Sequence, residues 1–394
     1  MTNPATLSPS ERTKSLAAIM GSIAIAGMGI GLYSPLMSYA MEAGGYSRTV
    51  IGLNTAVFAL AILLFATTVP KLMHRFGTIT VLWAAMATAI VCLILFRQFD
   101  NIYLWFLVRF TLGLSFTAIF VATEIWINLI ATDESRGRVM GVYATFLSLG
   151  VTSGLVILLW LGSEGWKPIL VTCGLLSLAG LILVPAGHLA PKAEVSEEHS
   201  SILPFLKGSP SALLAALIFG AVEMGILNLL NIYGLRSGLT ETSGTMMLLA
   251  VTAGNIAFQV PIGMLADKMN RRVVLAGCAG VGVIAAILIP AVIHNPMFLY
   301  AILFVVGGII LGMYAVGLTL IGERYQGADL AAANAAFITM YGLGALIGPF
   351  LGGVAMDIWD PNGLMAVMGA LCGGYVLLVF ARMRRNARLT GGSG

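Results

Sequence analysis

The sequence predicts an all-α membrane protein, with twelve transmembrane helices arranged in two pseudo-symmetric six-helix bundles. Three observations predict this fold: the composition, a series of long apolar segments, and a repeat that relates the two halves of the chain. Of the 394 residues, 59% are hydrophobic and 10% are charged, and the mean hydropathy is +0.96. A soluble protein of this length could not hide so much apolar surface from water, whereas a bilayer accommodates it.

Charged residues and Pro/Gly clusters divide the chain into twelve apolar segments. Each segment is long enough for a helix to cross about 30 Å of hydrocarbon. Helices are predicted because lipid offers the backbone no hydrogen-bond partners, and the alternating ten-residue pattern of a membrane barrel is missing. The segments are 16–40, 48–69, 79–96, 102–130, 139–161, 167–185, 211–233, 243–265, 273–293, 297–321, 331–355 and 363–381.

The distribution of basic residues predicts the orientation. With the N-terminus inside, sixteen Lys and Arg residues fall in cytoplasmic segments, whereas only Arg48, Arg97, Lys167 and Arg236 fall in external ones. This bias follows the positive-inside rule and predicts that both termini are cytoplasmic, in a bacterial inner membrane. The net charge of +4 is therefore attributed to topology, and no nucleic-acid partner is expected. We expect no cleavable signal peptide, because the first apolar segment is too long.

A charged loop recurs at the same place in each half. The second copy, residues 263–272, contains an acid and three bases, and residues 70–79 form a weaker copy 193 positions earlier. The pattern G-x-x-x-D-[RK]-x-G-x-[RK] resembles the signature loop of the major facilitator superfamily. The second copy matches it at Gly263, Asp267, Lys268 and Arg272, with Asn270 where the family has Gly. The first copy matches only at Arg75 and Gly77, because His74 replaces the acid and Pro70 the first Gly.

Further matches support a duplication. Tyr143, Gly150 and Gly154 recur 198 positions later as Tyr341, Gly348 and Gly352, and Gly113 and Glu124 recur 199 positions later as Gly312 and Glu323. Parallel repeats are typical of transporters whose halves rock around a central substrate. The predicted domains are an N-terminal bundle over 1–185, a cytoplasmic linker over 186–209 and a C-terminal bundle over 210–390. Residues 391–394 are interpreted as a cloning scar.

Once loops and segment ends are set aside, three ionisable residues remain within the apolar segments: Arg109, Glu124 and Glu223. Such residues in a membrane are costly and often functional. Glu223 lies about 18 Å along its helix from the cytoplasmic end, near the membrane midplane. The resemblance implies that this helix lines the central cavity, so Glu223 is the predicted proton-coupling or cation-binding group. The alternative is a structural tie to Asn228, Asn255 or a backbone carbonyl.

Arg109 and Glu124 lie on the fourth apolar segment. Arg109 opens the stretch Arg109-Phe-Thr-Leu-Gly113, which resembles the superfamily's fourth-helix R-x-x-x-G motif. It is a candidate for binding a substrate anion, or alternatively for a stabilising pair. Glu124 and its repeat mate Glu323 are interpreted as inner-gate residues. They lie at a similar depth to Arg75, Asp267, Lys268 and Arg272 of the signature loops, which complete the predicted gate. Substrate binding by the two glutamates is the alternative.

Other polar side chains could line a cavity, although such groups more often bond across helices. These candidates are Tyr33, Asn54, Trp126, Asn128, Asn228, Asn231, Tyr233, Asn255, Gln259 and Tyr314. The stretch Glu124-Ile-Trp126-Ile, followed by Arg136-Gly-Arg138, also resembles a bacterial branch of the superfamily, the YcaD-like transporters. That resemblance does not indicate a substrate.

The leading hypothesis is a monomeric secondary active transporter that uses alternating access and expels a small amphipathic or cationic compound in exchange for protons. One alternative is proton-coupled transport of a small organic anion or sugar-like solute, and a remote one is a non-transporting membrane sensor. No enzyme activity, cofactor or metal is expected. The four histidines are scattered in loops, and the sequence contains no G-x-x-x-x-G-K-[ST] phosphate loop.

Overall fold

The structure is a computed structural model that describes residues 8–131, 135–190, 205 and 208–391. Within these residues the chain is helical and contains no strand. The predicted linker 186–209 lies largely outside the described residues, as do residues 392–394 of the predicted cloning scar.

Thirteen α-helices are defined in the described residues, and a short 3₁₀ turn covers Gly187–Leu189. Those of the first half are α1 (Pro9–Ala43), α2 (Arg48–Phe65), α3 (Val69–Phe76), α4 (Thr78–Gln98), α5 (Ile102–Ile130), α6 (Arg136–Leu161) and α7 (Lys167–Ile182). Those of the second half are α8 (Pro210–Arg236), α9 (Glu241–Lys268), α10 (Arg271–Val292), α11 (Pro296–Arg324), α12 (Gly327–Ile358) and α13 (Gly363–Gly391). Eleven of them are long and apolar enough to cross a membrane, which confirms an all-helical membrane protein.

Most helices run past their predicted apolar segments, as Pro9–Ala43 does for 16–40 and Gly363–Gly391 for 363–381. Two predicted segments instead extend three or four residues beyond the observed helices. The predicted 48–69 segment ends as a helix at Phe65, and a turn at Ala66–Thr68 leads into the separate eight-residue α3. Pro70 explains the break, because its ring excludes the amide that would continue the ladder to Ala66. The predicted 167–185 segment is helical only to Ile182, a length of 16 residues, because Pro185 disfavours a helical conformation at the residue before it.

The chain forms two compact units. Unit 1 comprises Met1–Ala40 and Val57–Glu198, and unit 2 comprises Met41–Ala56 and His199–Gly394. The end of α1 and the beginning of α2 therefore pack in unit 2, although they come from the first half of the sequence.

Glycines allow matching helices to touch backbone to backbone in both units. In unit 1, a Cβ on Gly150 of α6 would collide with the Ala24 carbonyl of α1. In unit 2, a Cβ on Gly348 of α12 would collide with the Ala221 carbonyl of α8. Small residues allow this close approach where no hydrophobic effect drives helices together inside lipid. The repeat found in the sequence therefore appears as a repeated helix contact.

An ion-pair network lies at the end of unit 2 where α8 and α12 terminate. Asp357 of α12 accepts hydrogen bonds from the backbone amides of Arg48 at 3.1 Å and Thr49 at 2.8 Å, so it caps α2 from a distant helix. The Arg48 guanidinium contacts Asp357 at 3.0 Å and Asp360 at 2.9 Å. Arg236 contacts Asp360 at 2.9 Å and Glu42 at 3.5 Å. The network thereby anchors residues 42–49 to α8 and α12.

Candidate functional site

Glu223 lies on α8 and is half-buried in unit 2. Its carboxylate oxygen Oε2 accepts a hydrogen bond from the Tyr341 hydroxyl of α12, at 2.8 Å. No basic side chain of the described residues lies within ion-pair distance of Glu223. The structural alternative from the sequence named Asn228, Asn255 or a carbonyl as partner, whereas the recorded partner is a phenol.

Aromatic rings pack around Tyr341, the residue that donates to this carboxyl group. Phe219 stacks on Tyr341 with ring centroids 5.6 Å apart, and Tyr314 meets the edge of Tyr341 at 5.8 Å. Tyr314 also lies 5.5 Å from Phe219 and 5.2 Å from Phe337. We call Phe219, Glu223, Tyr314, Phe337 and Tyr341 the Glu223 cluster. Aromatic faces beside a carboxyl group provide the chemistry that attracts a cation.

Local sequence explains why these side chains meet. Phe219 precedes Glu223 by four residues, and Phe337 precedes Tyr341 by four, so each pair lies on one helix face. Gly220 sits where a Cβ would collide with the Tyr341 carbonyl, so α8 and α12 approach closely at this level. The close approach lets the Tyr341 hydroxyl reach across to α8.

Arg109 of α5 occupies an aromatic cluster in unit 1. Its side chain is 3% exposed, and its guanidinium carbon lies 5.3 Å from the Phe58 ring centroid and 5.7 Å from that of Tyr33. Nη1 lies 3.4 Å from the Met37 sulfur. Tyr33 stacks on Phe116 at 5.4 Å. We call Tyr33, Met37, Phe58, Arg109 and Phe116 the Arg109 cluster.

The repeat mate of Tyr341 has a different partner. Tyr143 of α6 is buried, and its hydroxyl shares a hydrogen bond of 3.0 Å with the Thr123 hydroxyl of α5. Glu124, the next residue, is exposed. Among the described residues no ion pair is recorded for Glu124 or for its predicted partner Arg75, whose guanidinium lies over the Phe76 ring.

Among the side chains that the structure describes, the predicted gate of unit 2 contains one ion pair. Glu323, at the end of α11, pairs with Arg271 at the beginning of α10. The sequence named the neighbouring Arg272 instead. The Asn270 side chain accepts a hydrogen bond from the Arg272 amide at 3.0 Å, which explains how Asn replaces the family's Gly by capping α10. Lys268 is exposed at the end of α9, and the side chain of Asp267 lies outside the described residues.

The remaining polar candidates are dispersed. Asn228 donates to the Met224 carbonyl at 3.1 Å, and Tyr233 to Asn362 at 3.4 Å. The side chains of Asn54, Trp126 and Asn231 are buried, Asn255 is half-buried, and Asn128 and Gln259 are exposed. Of the predicted substrate-binding residues, Tyr314 joins the Glu223 cluster, and Tyr33 joins the Arg109 cluster.

Sequence reasoning missed three members of the Glu223 cluster: Phe219, Phe337 and Tyr341. Tyr341 was recognised only as a repeat mate of Tyr143. The signal that could have found them is the four-residue spacing of Phe219 from Glu223 and of Phe337 from Tyr341, on helices whose glycines predict contact. No group of metal-ligating side chains was found among the described residues.

Comparisons with known proteins identify the family. The family model described as Major Facilitator Superfamily matches residues 19–256 and 238–393. The chain is 23% identical over 347 residues to "Uncharacterized MFS-type transporter YfkF" of Bacillus subtilis, covering 87% of this chain and 88% of the relative. It is 27% identical over 286 residues to "Uncharacterized MFS-type transporter YcaD" of Escherichia coli, covering 72% of each.

Solved structures share the fold. The nucleoside transporter NupG has a TM-score of 0.73 at 15% identity, covering 95% of this chain and 98% of that one. A bacterial homologue of the human lysosomal transporter Spinster, in an inward-facing and unoccupied conformation, has a TM-score of 0.74 at 13% identity, covering 95% and 96%. The repeated loops, the repeated helix contacts and the family match agree: this chain is a multi-pass transporter of the major facilitator superfamily.

Proposed function

We propose that this chain is a proton-coupled secondary active transporter that expels a small amphipathic or cationic compound by alternating access. The observation that carries the proposal is the Glu223–Tyr341 hydrogen bond of 2.8 Å inside a group of aromatic rings. An ionised Glu223 attracts a cation that the rings also favour, because their faces carry negative potential. Protonation of the same carboxyl removes that attraction and favours release.

Proton and substrate therefore compete for one group, which is the requirement for exchange. Tyr341 donates a hydrogen bond that favours the ionised form of Glu223. The cluster contains four aromatic residues and few polar atoms, so an amphipathic compound with a positive charge suits it better than a sugar. We further propose that the protein lies in a bacterial inner membrane with both termini in the cytoplasm. We also propose that it acts as a monomer and transports protons and a small-molecule substrate.

Glu323 and Arg271 are the proposed inner gate of unit 2. Both lie at helix ends next to the charged loop 268–272, so their pairing is sensitive to movements of α10 against α11. A role for Glu124, Arg75, Asp267, Lys268 and Arg272 in the same gate is retained as part of this proposal.

The second candidate function is transport of a small organic anion or sugar-like solute. Two observations favour it: the buried charge of Arg109, and the structural similarity to the nucleoside transporter NupG. Arg109 is, however, covered by Tyr33, Phe58 and Met37. Its charge is thus already engaged by the protein, and the cationic substrate is the better-supported class.

Transport in proteoliposomes tests the proposal. Vesicles with a proton gradient are loaded with tetraphenylphosphonium, a nucleoside or a small dicarboxylate, and solute and proton movements are recorded together. We expect the lipophilic cation to move against protons. Glu223→Gln should lower that exchange on the order of 100-fold or more, because a positioned proton acceptor is removed.

Glu164→Gln provides the matched control, because Glu164 is an exposed carboxyl in the loop before α7. It should exchange like the parent protein. Anion or nucleoside transport that survives Glu223→Gln and is abolished by Arg109→Gln would establish the second candidate and overturn the first.

A further inference from the structure

A cavity of about 620 Å³ lies at the end of unit 2 opposite the ion-pair network. It is bounded by the beginnings of α8 and α10, the end of α11, and the part of α13 where its apolar segment ends. Three helix ends meet here, beside the point where the apolar segment of α13 ends, so we place the cavity where the hydrocarbon gives way to water. Its size is within the range of about 300–1,000 Å³ that is usual for small-ligand sites.

Three guanidinium groups line this cavity, from Arg272, Arg324 and Arg382. The lining also contains Glu323, but that carboxylate pairs with Arg271. Within the part of the chain that the structure describes, no ion pair is recorded for any of the three lining arginines. The lining therefore carries an excess positive charge that an anion would balance.

The beginning of α8, which carries no charged side chain here, also contributes positive electrostatic potential to the cavity. Residues Ser209–Ala212 bring the first turn of α8 to the cavity wall, and α8 is 27 residues long. The free backbone amides and the dipole at such a helix terminus favour a negative charge. The Ser209 hydroxyl donates to the Tyr325 hydroxyl at 3.3 Å, which fixes this turn beside the end of α11.

We propose that this cavity, which we call the arginine cavity, binds a phosphate-bearing anion. Arginine rather than lysine supplies every lining base, and its planar fork donates two parallel hydrogen bonds to phosphate oxygens. The group has two possible sources: the headgroup of an anionic phospholipid, which lies at this depth in a bilayer, or a soluble phosphate ester. The proposal does not depend on the transported substrate, nor on the role of Glu223.

Native mass spectrometry of the purified full chain tests the lipid source. Cardiolipin, phosphatidylglycerol and zwitterionic phosphatidylethanolamine are added separately, and retained lipid is counted. We expect the two anionic lipids to bind at least about 10-fold more tightly than phosphatidylethanolamine, which corresponds to about 1.4 kcal/mol. The double variant Arg324→Gln/Arg382→Gln should lose this preference, whereas Lys71→Gln, which removes an exposed base of unit 1, should keep it.

A second arm tests the soluble source. Inorganic phosphate and glycerol 3-phosphate are titrated into the lipid-depleted protein, and thermal stability is recorded. Stabilisation that the double variant lacks assigns the cavity to a soluble phosphate ester. The charge-preserving variant Arg324→Lys/Arg382→Lys should bind with intermediate affinity, and it carries the test if the glutamine variant does not fold. Equal binding of all lipids and phosphates by the parent and the double variant would overturn the proposal.

Discussion

Each half of the molecule contains an aromatic cluster, but the Arg109 cluster contains a basic residue and the Glu223 cluster an acidic one. In unit 1 the rings of Tyr33 and Phe58 flank Arg109, a cation that belongs to the protein itself. In unit 2 the rings of Phe219 and Tyr314 pack on Tyr341, which donates to Glu223, and no basic side chain of the described residues pairs with that carboxyl group. The two clusters thus differ in charge: one contains a cation of the protein itself, and the other contains a carboxyl group, for which we propose a cationic substrate.

The tyrosine pair shows how small the divergence is. Tyr143 and Tyr341 occupy matching positions on α6 and α12, yet one bonds to the Thr123 hydroxyl and the other to a carboxylate. Tyr143 bonds to α5, whereas Tyr341 bonds to α8, where the second half carries Glu223. The comparison teaches that duplication preserves the helix contacts, whereas single substitutions on them decide the chemistry.

The largest difference between the two halves is expected when the hydroxyl of Tyr341 or of Tyr143 is removed. We expect Tyr341→Phe to lower proton-coupled exchange about 10-fold or more, because a hydrogen bond to a charged group contributes about 1.5–3 kcal/mol. The pH of half-maximal exchange should rise, since the lost bond favours the ionised carboxyl. Tyr143→Phe should leave that pH unchanged. Proteoliposome exchange over a pH series checks both, and equal pH shifts in the two variants would contradict the assigned difference.

The glycine contacts should behave alike in the two units. Gly348→Ala and Gly150→Ala each force a Cβ against a backbone carbonyl, so we expect a cost of about 1–3 kcal/mol. Gly374→Ala is the control, because nothing lies within 4 Å of its added Cβ. Thermal unfolding in detergent measures the three. A loss of stability confined to Gly348→Ala would show that the two halves do not share this packing.

Arg109→Lys tests whether the cation of unit 1 is structural. The charge stays, but the flat guanidinium between two rings is lost, so we expect destabilisation of about 1 kcal/mol and little change in cation exchange. Arg97→Lys is the control, since Arg97 is exposed and lies 6.0 Å from the Trp166 ring. Thermal unfolding and exchange assays are compared. Unchanged stability with lost anion transport would instead favour substrate binding by Arg109.

The smallest effect is expected at the predicted gates. Glu323→Gln breaks the ion pair with Arg271, and we expect a change below about 1 kcal/mol because the glutamate is largely exposed. Glu124→Gln should change stability less, since no ion pair of Glu124 is recorded among the described residues. A double-mutant cycle with Arg271→Gln measures the coupling of the unit 2 pair. A coupling free energy of zero between Glu323 and Arg271 would mean that the ion pair does not distinguish the unit 2 gate from the unit 1 gate.

Much of the fold could be predicted because lipid imposes strict rules. Apolar length and the cost of unpaired amides predicted the helices. Proline effects near Pro70 and Pro185 shortened two of them, whereas α1 and α13 run past their apolar segments. The repeat was visible because backbone contact admits no side chain at Gly150 or Gly348. Glu223 stood out because a carboxyl in an apolar segment is rare.

The partners of these residues were harder to predict. Tyr341 reaches Glu223 across 118 residues of sequence, and only the packing of α8 against α12 brings them together. Arg271 rather than Arg272 pairs with Glu323, at the beginning of the helix that Asn270 caps. Sequence spacing indicates which helix face a side chain occupies, but the neighbour on that face depends on tertiary contacts.

The Asp357 cap has a consequence for biogenesis. The amide of Thr49 is capped by a carboxylate that lies 308 residues later in the chain. Because translation proceeds from the N-terminus, α2 leaves the ribosome and enters the membrane with its first turn uncapped. The Asp357 cap on α2 therefore forms only after α12 has been inserted, so it is among the last contacts to form as the protein matures.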